Sequence, residues 1–114
     1  MTPNNSINYI ELTAPDLAVI KHFYGICFNW HFTDYGANYT AFSNSGINGG
    51  FEKSPKKVHN GALIVIHHNN LEAIRQTILQ NGGEITVDIF SFPGGKRFQF
   101  KDPGGNELAV WTEM

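Results

Sequence analysis

The chain carries nearly the same pattern twice, and that limits its folds more than any other feature. Asp16, Leu17 and Ile20 fall on Asn70, Leu71 and Ile74 at an offset of 54 residues. Phe42, Asn44, Gly46 and Asn48 fall on Phe100, Asp102, Gly104 and Asn106 at an offset of 58. Each half reads as one strand, one helix and three strands. A solenoid needs three or more stacked units, so two copies point to a duplicated module. The expected organisation is one domain over residues 1–114, with modules of about 6–55 and 59–112.

Local patterns support that reading. Ile7–Leu12 alternates, with Ile10 and Leu12 on one face and Tyr9 and Glu11 on the other. Asp16 can cap a helix whose apolar stripe is Leu17, Ile20, Phe23, Tyr24 and Cys27. Strands are expected around Phe28–Thr33, Asn38–Ser43 and Gly46–Phe51. In the second half, Ala62–His67 is apolar and β-branched, and Asn69-Asn70 precedes a helix carrying Leu71, Ile74 and Ile78. Asn81-Gly82-Gly83 stops it, and Glu84–Ile89, Lys96–Lys101 and Asn106–Trp111 read as strands. The larger offset late in the chain predicts a longer loop near Phe90–Gly95. Gly49-Gly50 and Gly104-Gly105 fit β-turns, and neither opens a helix as a phosphate cradle would.

Composition removes several function classes. With 41% hydrophobic and 16% charged residues the chain is too apolar for disorder and too lightly charged for a coiled coil. A net charge of −2 gives no basic face for nucleic acid or an anionic membrane. The single cysteine, Cys27, lies on the helical stripe and predicts a buried, inert thiol. No apolar run reaches membrane-spanning length and the start lacks signal-peptide features, so a cytoplasmic protein is expected.

The stretches Ile10-Glu11-Leu12 to Asp16-Leu17, Phe23-Tyr24-Gly25 and Phe28-Asn29-Trp30, with the ending Phe100-Lys101-Asp102-Pro103-Gly104-Gly105-Asn106-Glu107-Leu108, carry a resemblance. Together, at this separation, they resemble the glyoxalase, bleomycin-resistance and extradiol dioxygenase superfamily, the vicinal oxygen chelate fold. The resemblance implies an α+β fold: two βαβββ modules forming a curved, incompletely closed mixed sheet, helices on the outer face and a pocket on the concave one. It also implies a homodimer, and in most such enzymes a divalent metal held by His, Glu or Gln. The corresponding positions here are Tyr9, Phe51, Ala62 or Leu63, and Ala109. None is an ordinary ligand for a hard divalent ion, so no metal and no other cofactor is expected.

The function expected is therefore binding of a small aromatic or amphipathic molecule in the concave pocket. The alternative is a glyoxalase-type lyase, isomerase or dioxygenase that uses a displaced metal or a Glu general base. Alternation puts Glu11 with Tyr9, and Glu107 with Ala109 and Trp111, so both carboxylates are candidates for ligand binding or catalysis. Otherwise each carboxylate bonds a neighbouring N–H, Tyr or Arg97 and stabilises the sheet. Trp30, Tyr39, Phe51 and Trp111 could stack on a planar ligand or pack the core, and Arg97 could neutralise an anion. His22, His31, His59, His67 and His68 are not spaced like a metal pair and read as surface residues.

Overall fold

A computed structural model describes Asn4, residues 9–55 and residues 63–113. The elements are β1 (Tyr9–Ala14), α1 (Leu17–Phe28), β2 (His31–Asp34), β3 (Tyr39–Ser43), β4 (Asn48–Lys53), β5 (Ile64–His67), α2 (Leu71–Gln80), β6 (Glu84–Phe92), β7 (Gly95–Lys101) and β8 (Glu107–Glu113). The duplicated βαβββ order holds. The strands form two four-stranded mixed sheets, ordered β1-β4-β3-β2 and β5-β8-β7-β6, rather than one continuous sheet. In each, the first strand runs parallel to the fourth and the other pairs are antiparallel.

Both helices start where the sequence places them. Asp16 accepts from Val19 N at 3.2 Å, and Asn70, rather than Asn69, accepts from Ala73 N at 3.1 Å. Two expectations fail. The stretch after Ile89 is strand: β6 runs to Phe92 and a tight Pro93-Gly94 turn leads into β7. Register irregularities between Ile85 and Phe90 lengthen β6, so the extra residues are absorbed as bulges. Gly49-Gly50 is not a turn but lies within β4.

One face of each sheet packs against the helices. On it lie Ile10, Leu12, Phe42 and Phe51 from the first module, and Ile64, Ile66, Leu108, Val110, Phe98 and Phe100 from the second. Tyr24 of α1 joins the two sets. Its ring stacks on Trp30 at 4.6 Å and packs on Phe51 at 5.4 Å, and neighbouring Phe23 reaches Phe100 at 6.1 Å. The Tyr24 hydroxyl donates to Asp102 Oδ2 at 2.8 Å.

Asp102 is buried at the turn between β7 and β8. Its Oδ1 accepts from Gly104 N at 2.8 Å and Asn106 N at 2.9 Å, while Asn106 Nδ2 bonds Asp102 Oδ2 and Thr13 O at 3.1 and 2.7 Å. Burial pushes the Asp102 carboxyl up, and these donors pull it partly back. Cys27 is buried as expected, and burial raises its thiol to about 11.

Candidate functional site

The opposite faces of the two sheets, turned away from the helices, carry the remaining polar and aromatic side chains. On β1, Ile10, Leu12 and Ala14 go to the core, so alternation sends Tyr9, Glu11 and Thr13 to the open face. Glu11 lies beside Gly50 of β4, and Gly50 lies beside Ala41 of β3. A Cβ at Gly50 would stand 2.1 Å from the Tyr39 hydroxyl. The missing side chain is what lets Tyr39 lie across β4 and reach β1. There Tyr39 donates to Glu11 Oε1 at 3.0 Å. Its one proton is thereby committed, so Tyr9 donates in turn to the Tyr39 oxygen at 2.5 Å. Burial, and then the bonds to Tyr9 and Glu11, hold the Tyr39 phenol above its ordinary value. The trio is a pair of neutral phenols anchored on one carboxylate.

The second module presents a different set. Val65 and His67 lie opposite Ala109 and Trp111, and Arg97 lies opposite Trp111 on the other side. Trp111 is half-buried; its ring meets the His67 ring edge-on at 5.3 Å and the Phe92 ring at 6.5 Å. His67 Nε2 pairs with Glu113 Oε1 at 2.8 Å. The Arg97 guanidinium lies 5.2 Å from the Phe90 ring centre, and its buried Nε has no partner among the described residues. At the foot of β8, Glu107 accepts from Thr86 at 2.5 Å and Gln99 at 3.1 Å. Those bonds, Thr86 foremost, hold its carboxyl below the ordinary range.

Of the residues singled out from sequence, Tyr9, Glu11, Tyr39, Arg97, Glu107 and Trp111 stand on the open faces. Phe51 and Trp30 do not. Phe51 is fully buried against Tyr24 and Phe42, and Trp30 is stacked between Tyr24 and Phe42 at 4.6 Å from each. The error at Phe51 has a definite cause. Glu11 pairs with Gly50, and its repeat partner Val65 pairs with Ala109, so the offset in the last strand is 59. One residue of slip turns a strand position to the other face. The two carboxylates also hold separate partners, Tyr39 for Glu11 and Thr86 with Gln99 for Glu107.

Sequence reasoning took Gly50 for a turn residue, and it placed Phe90 and Phe92 in a loop rather than at the site. A glycine inside an alternating run was the available signal for Gly50, because it marks close approach by a neighbour. His22 and His31 are exposed, while His59 and Ala62 lie outside the described residues.

The donor chemistry can be set against the metal that the fold implies. The positions concerned now read Tyr9, Gly50, Leu63 and Ala109, and the last three offer no side-chain donor. Among the described residues, no three His, Cys, Asp or Glu side chains gather closely enough to hold an ion. The described residues do not fit a chelated divalent metal.

The paired βαβββ modules, with open faces of this kind, agree with a family model that matches residues 6–110: the Glyoxalase/Bleomycin resistance protein/Dioxygenase superfamily. The chain belongs to this superfamily. A glyoxylase-like domain-containing protein from Didymella fabae is 28% identical, with 98% of this chain and 97% of that protein aligned. Among solved structures, a glyoxalase-related enzyme from Fulvimarina pelagi has a TM-score of 0.81 at 16% identity, covering 96% of this chain and 88% of that one. A genomically encoded fosfomycin resistance protein from Listeria monocytogenes gives 0.81 at 15%, covering 96% and 94%. Lactoylglutathione lyase from Agrobacterium tumefaciens gives 0.71 at 16%, covering 97% and 96%. At these identities the structures share the superfamily fold with this chain. No helix among the described residues is long and apolar enough to cross a membrane.

Proposed function

We propose that this superfamily member binds a small aromatic or amphipathic molecule on its open faces and does so without a divalent metal. The observation that carries the reading is the hydrogen-bonded Tyr9–Tyr39–Glu11 trio, in which Tyr9 stands at a position where a metal-dependent relative would place a ligand. A phenol pair on a carboxylate can accept from an ammonium or hydroxyl donor, and it offers π faces to an aromatic ring. Half-exposed Trp111 supplies a stacking surface in the other module. Glu11, Glu52, Glu107 and Glu113 stand on these faces against Arg97 and Lys101, which favours a neutral or cationic ligand over an anion. A cytoplasmic homodimer belongs to the same proposal.

The test uses a Trp30→Phe variant, in which Trp111 is the sole tryptophan. A library of aromatic and amphipathic fragments, with benzamidine, benzyl alcohol and benzoate as charge references, is titrated against its emission. Cations and neutral compounds should perturb Trp111, with benzamidine binding weakened about tenfold by Glu11→Gln. If no fragment perturbs Trp111 at millimolar concentration, the proposal fails. It fails equally if protein purified without chelator carries one tightly held divalent ion per chain.

A second reading rests on the bond from Tyr39 to Glu11. With one carboxylate oxygen held by Tyr39, Glu11 is positioned to take a proton from a bound substrate as a general base. Glu11→Gln would then abolish turnover while leaving Trp111 titrations with neutral fragments unchanged.

A further inference from the structure

Where β1 lies beside β5, the two sheets leave a slot of about 150 Å³ between them. Its walls are Ile10 and Leu12 of β1, Ile64 and Ile66 of β5, with Trp30 and Leu108 deeper in the core. Val65 and His67, which stand on the open face, also border it, so the slot leads from that face towards the interior. The side chains of Ser45 and His67, which border it, already have partners. The Ser45 hydroxyl donates to Ile47 O at 2.7 Å, and His67 is paired with Glu113.

We infer that this slot is a second binding site, which takes a neutral apolar group no larger than a benzene ring or a short alkyl chain. The volume fits: an apolar cavity of roughly 150 Å³ stays dry and accepts benzene-sized guests. An apolar guest restores contacts that the walls lack. The occupant can be a free hydrocarbon or the apolar end of a larger molecule, and both have the same chemistry at the walls. The slot differs from the open-face site, since its walls are Trp30, Phe42 and aliphatic side chains, with His67 at its border, rather than Trp111, the phenols and Glu11.

The two tryptophans allow a direct test. In a Trp111→Phe variant, Trp30 is the sole tryptophan and borders the slot. Benzene should change Trp30 emission saturably, and at a concentration equal to its dissociation constant it should raise Tm by about 2 °C. Phenol, of similar size but with a hydroxyl to desolvate, should bind no more tightly than benzene. Leu12→Phe should fill the slot and weaken benzene at least tenfold. Should that variant not fold, ¹⁹F spectra of fluorobenzene with the unaltered chain supply the readout, a bound resonance being expected. Absence of saturable benzene binding, or phenol binding more tightly than benzene, overturns the inference. Neither result touches the open-face proposal, which is read from Trp111 in the presence of Trp30→Phe.

Discussion

The turns that close the two modules begin alike and are held by different means. In the first, Asn44 takes a left-handed conformation at φ 59° and its side-chain amide donates to Asn29 O at 3.0 Å, all at the exposed surface. In the second, Asp102 is buried and gathers donors from its own turn and from Tyr24 of the other module. The first turn is local. The second ties β8, α1 and, through Asn106 and Thr13, β1 into one unit. Duplicated modules need not share the work of joining equally, and here one turn supplies most of the polar join.

The largest effect that would separate the turns is in stability. Asp102→Ala leaves the Tyr24 hydroxyl and the turn amides without an acceptor, and should cost about 3 kcal/mol in denaturant unfolding. Asn44→Ala loses one exposed bond and must hold a left-handed backbone, so about 1 kcal/mol is expected. Equal costs would break the contrast.

The open faces differ in a second way. Gly50 makes room for Tyr39, whereas its counterpart Ala109 carries a side chain and is fully buried. Gly50→Ala should push the Tyr39 ring aside, free Glu11 and cost about 2 kcal/mol. The Tyr39→Phe variant, which keeps the ring but loses the hydroxyl, should weaken benzamidine binding while moving Tm far less. Fluorescence titration and thermal melts on both variants sharpen the distinction between room for the ring and use of its hydroxyl.

The smallest effect is on pH dependence, and the two carboxylates that flank the β7–β8 turn, Asp102 and Glu107, have opposite signs. Glu107 is held below its ordinary value by Thr86 and Gln99, so it contributes stability above about pH 4.3 that is lost as pH falls through its lowered pKa. In Glu107→Gln the fall of Tm between about pH 5 and 3 should be shallower than in the unaltered chain. Asp102 is held up by burial, so its charged form costs stability above the raised pKa, a cost relieved as pH falls towards the ordinary carboxylate value. Melting curves of Glu107→Gln and Asp102→Asn across that range should therefore bend in opposite directions relative to the parent. Parallel curves would show that neither environment matters to folding.

Much of this arrangement was legible from residue types. The Asp16 cap, the apolar stripe of α1, the alternation of β1 and the paired halves all follow from spacing, because a helix repeats every 3.6 residues and a strand every two. Tyr9, Glu11 and Thr13 could be placed on one face for that reason. Trp30 and Phe51 could not be told from ligand-facing aromatics, since burial depends on what lies across from them. β6 was read too short because Phe90–Gly95 carries turn residues, while bulges and a two-residue turn absorb the length.

The order of strands and helices, the duplication and the superfamily are written in the chain itself, through periodicities that every local segment expresses alone. The partner strand facing each residue is not written there. Hydrogen-bond register between β1 and β4, some forty residues apart, decides that Gly50 and not Phe51 lies next to Glu11. A strand shows its two faces equally to the reader of a sequence. Only packing against the helices chooses the inner one, and only then does Tyr39 find a glycine to cross and a carboxylate to meet.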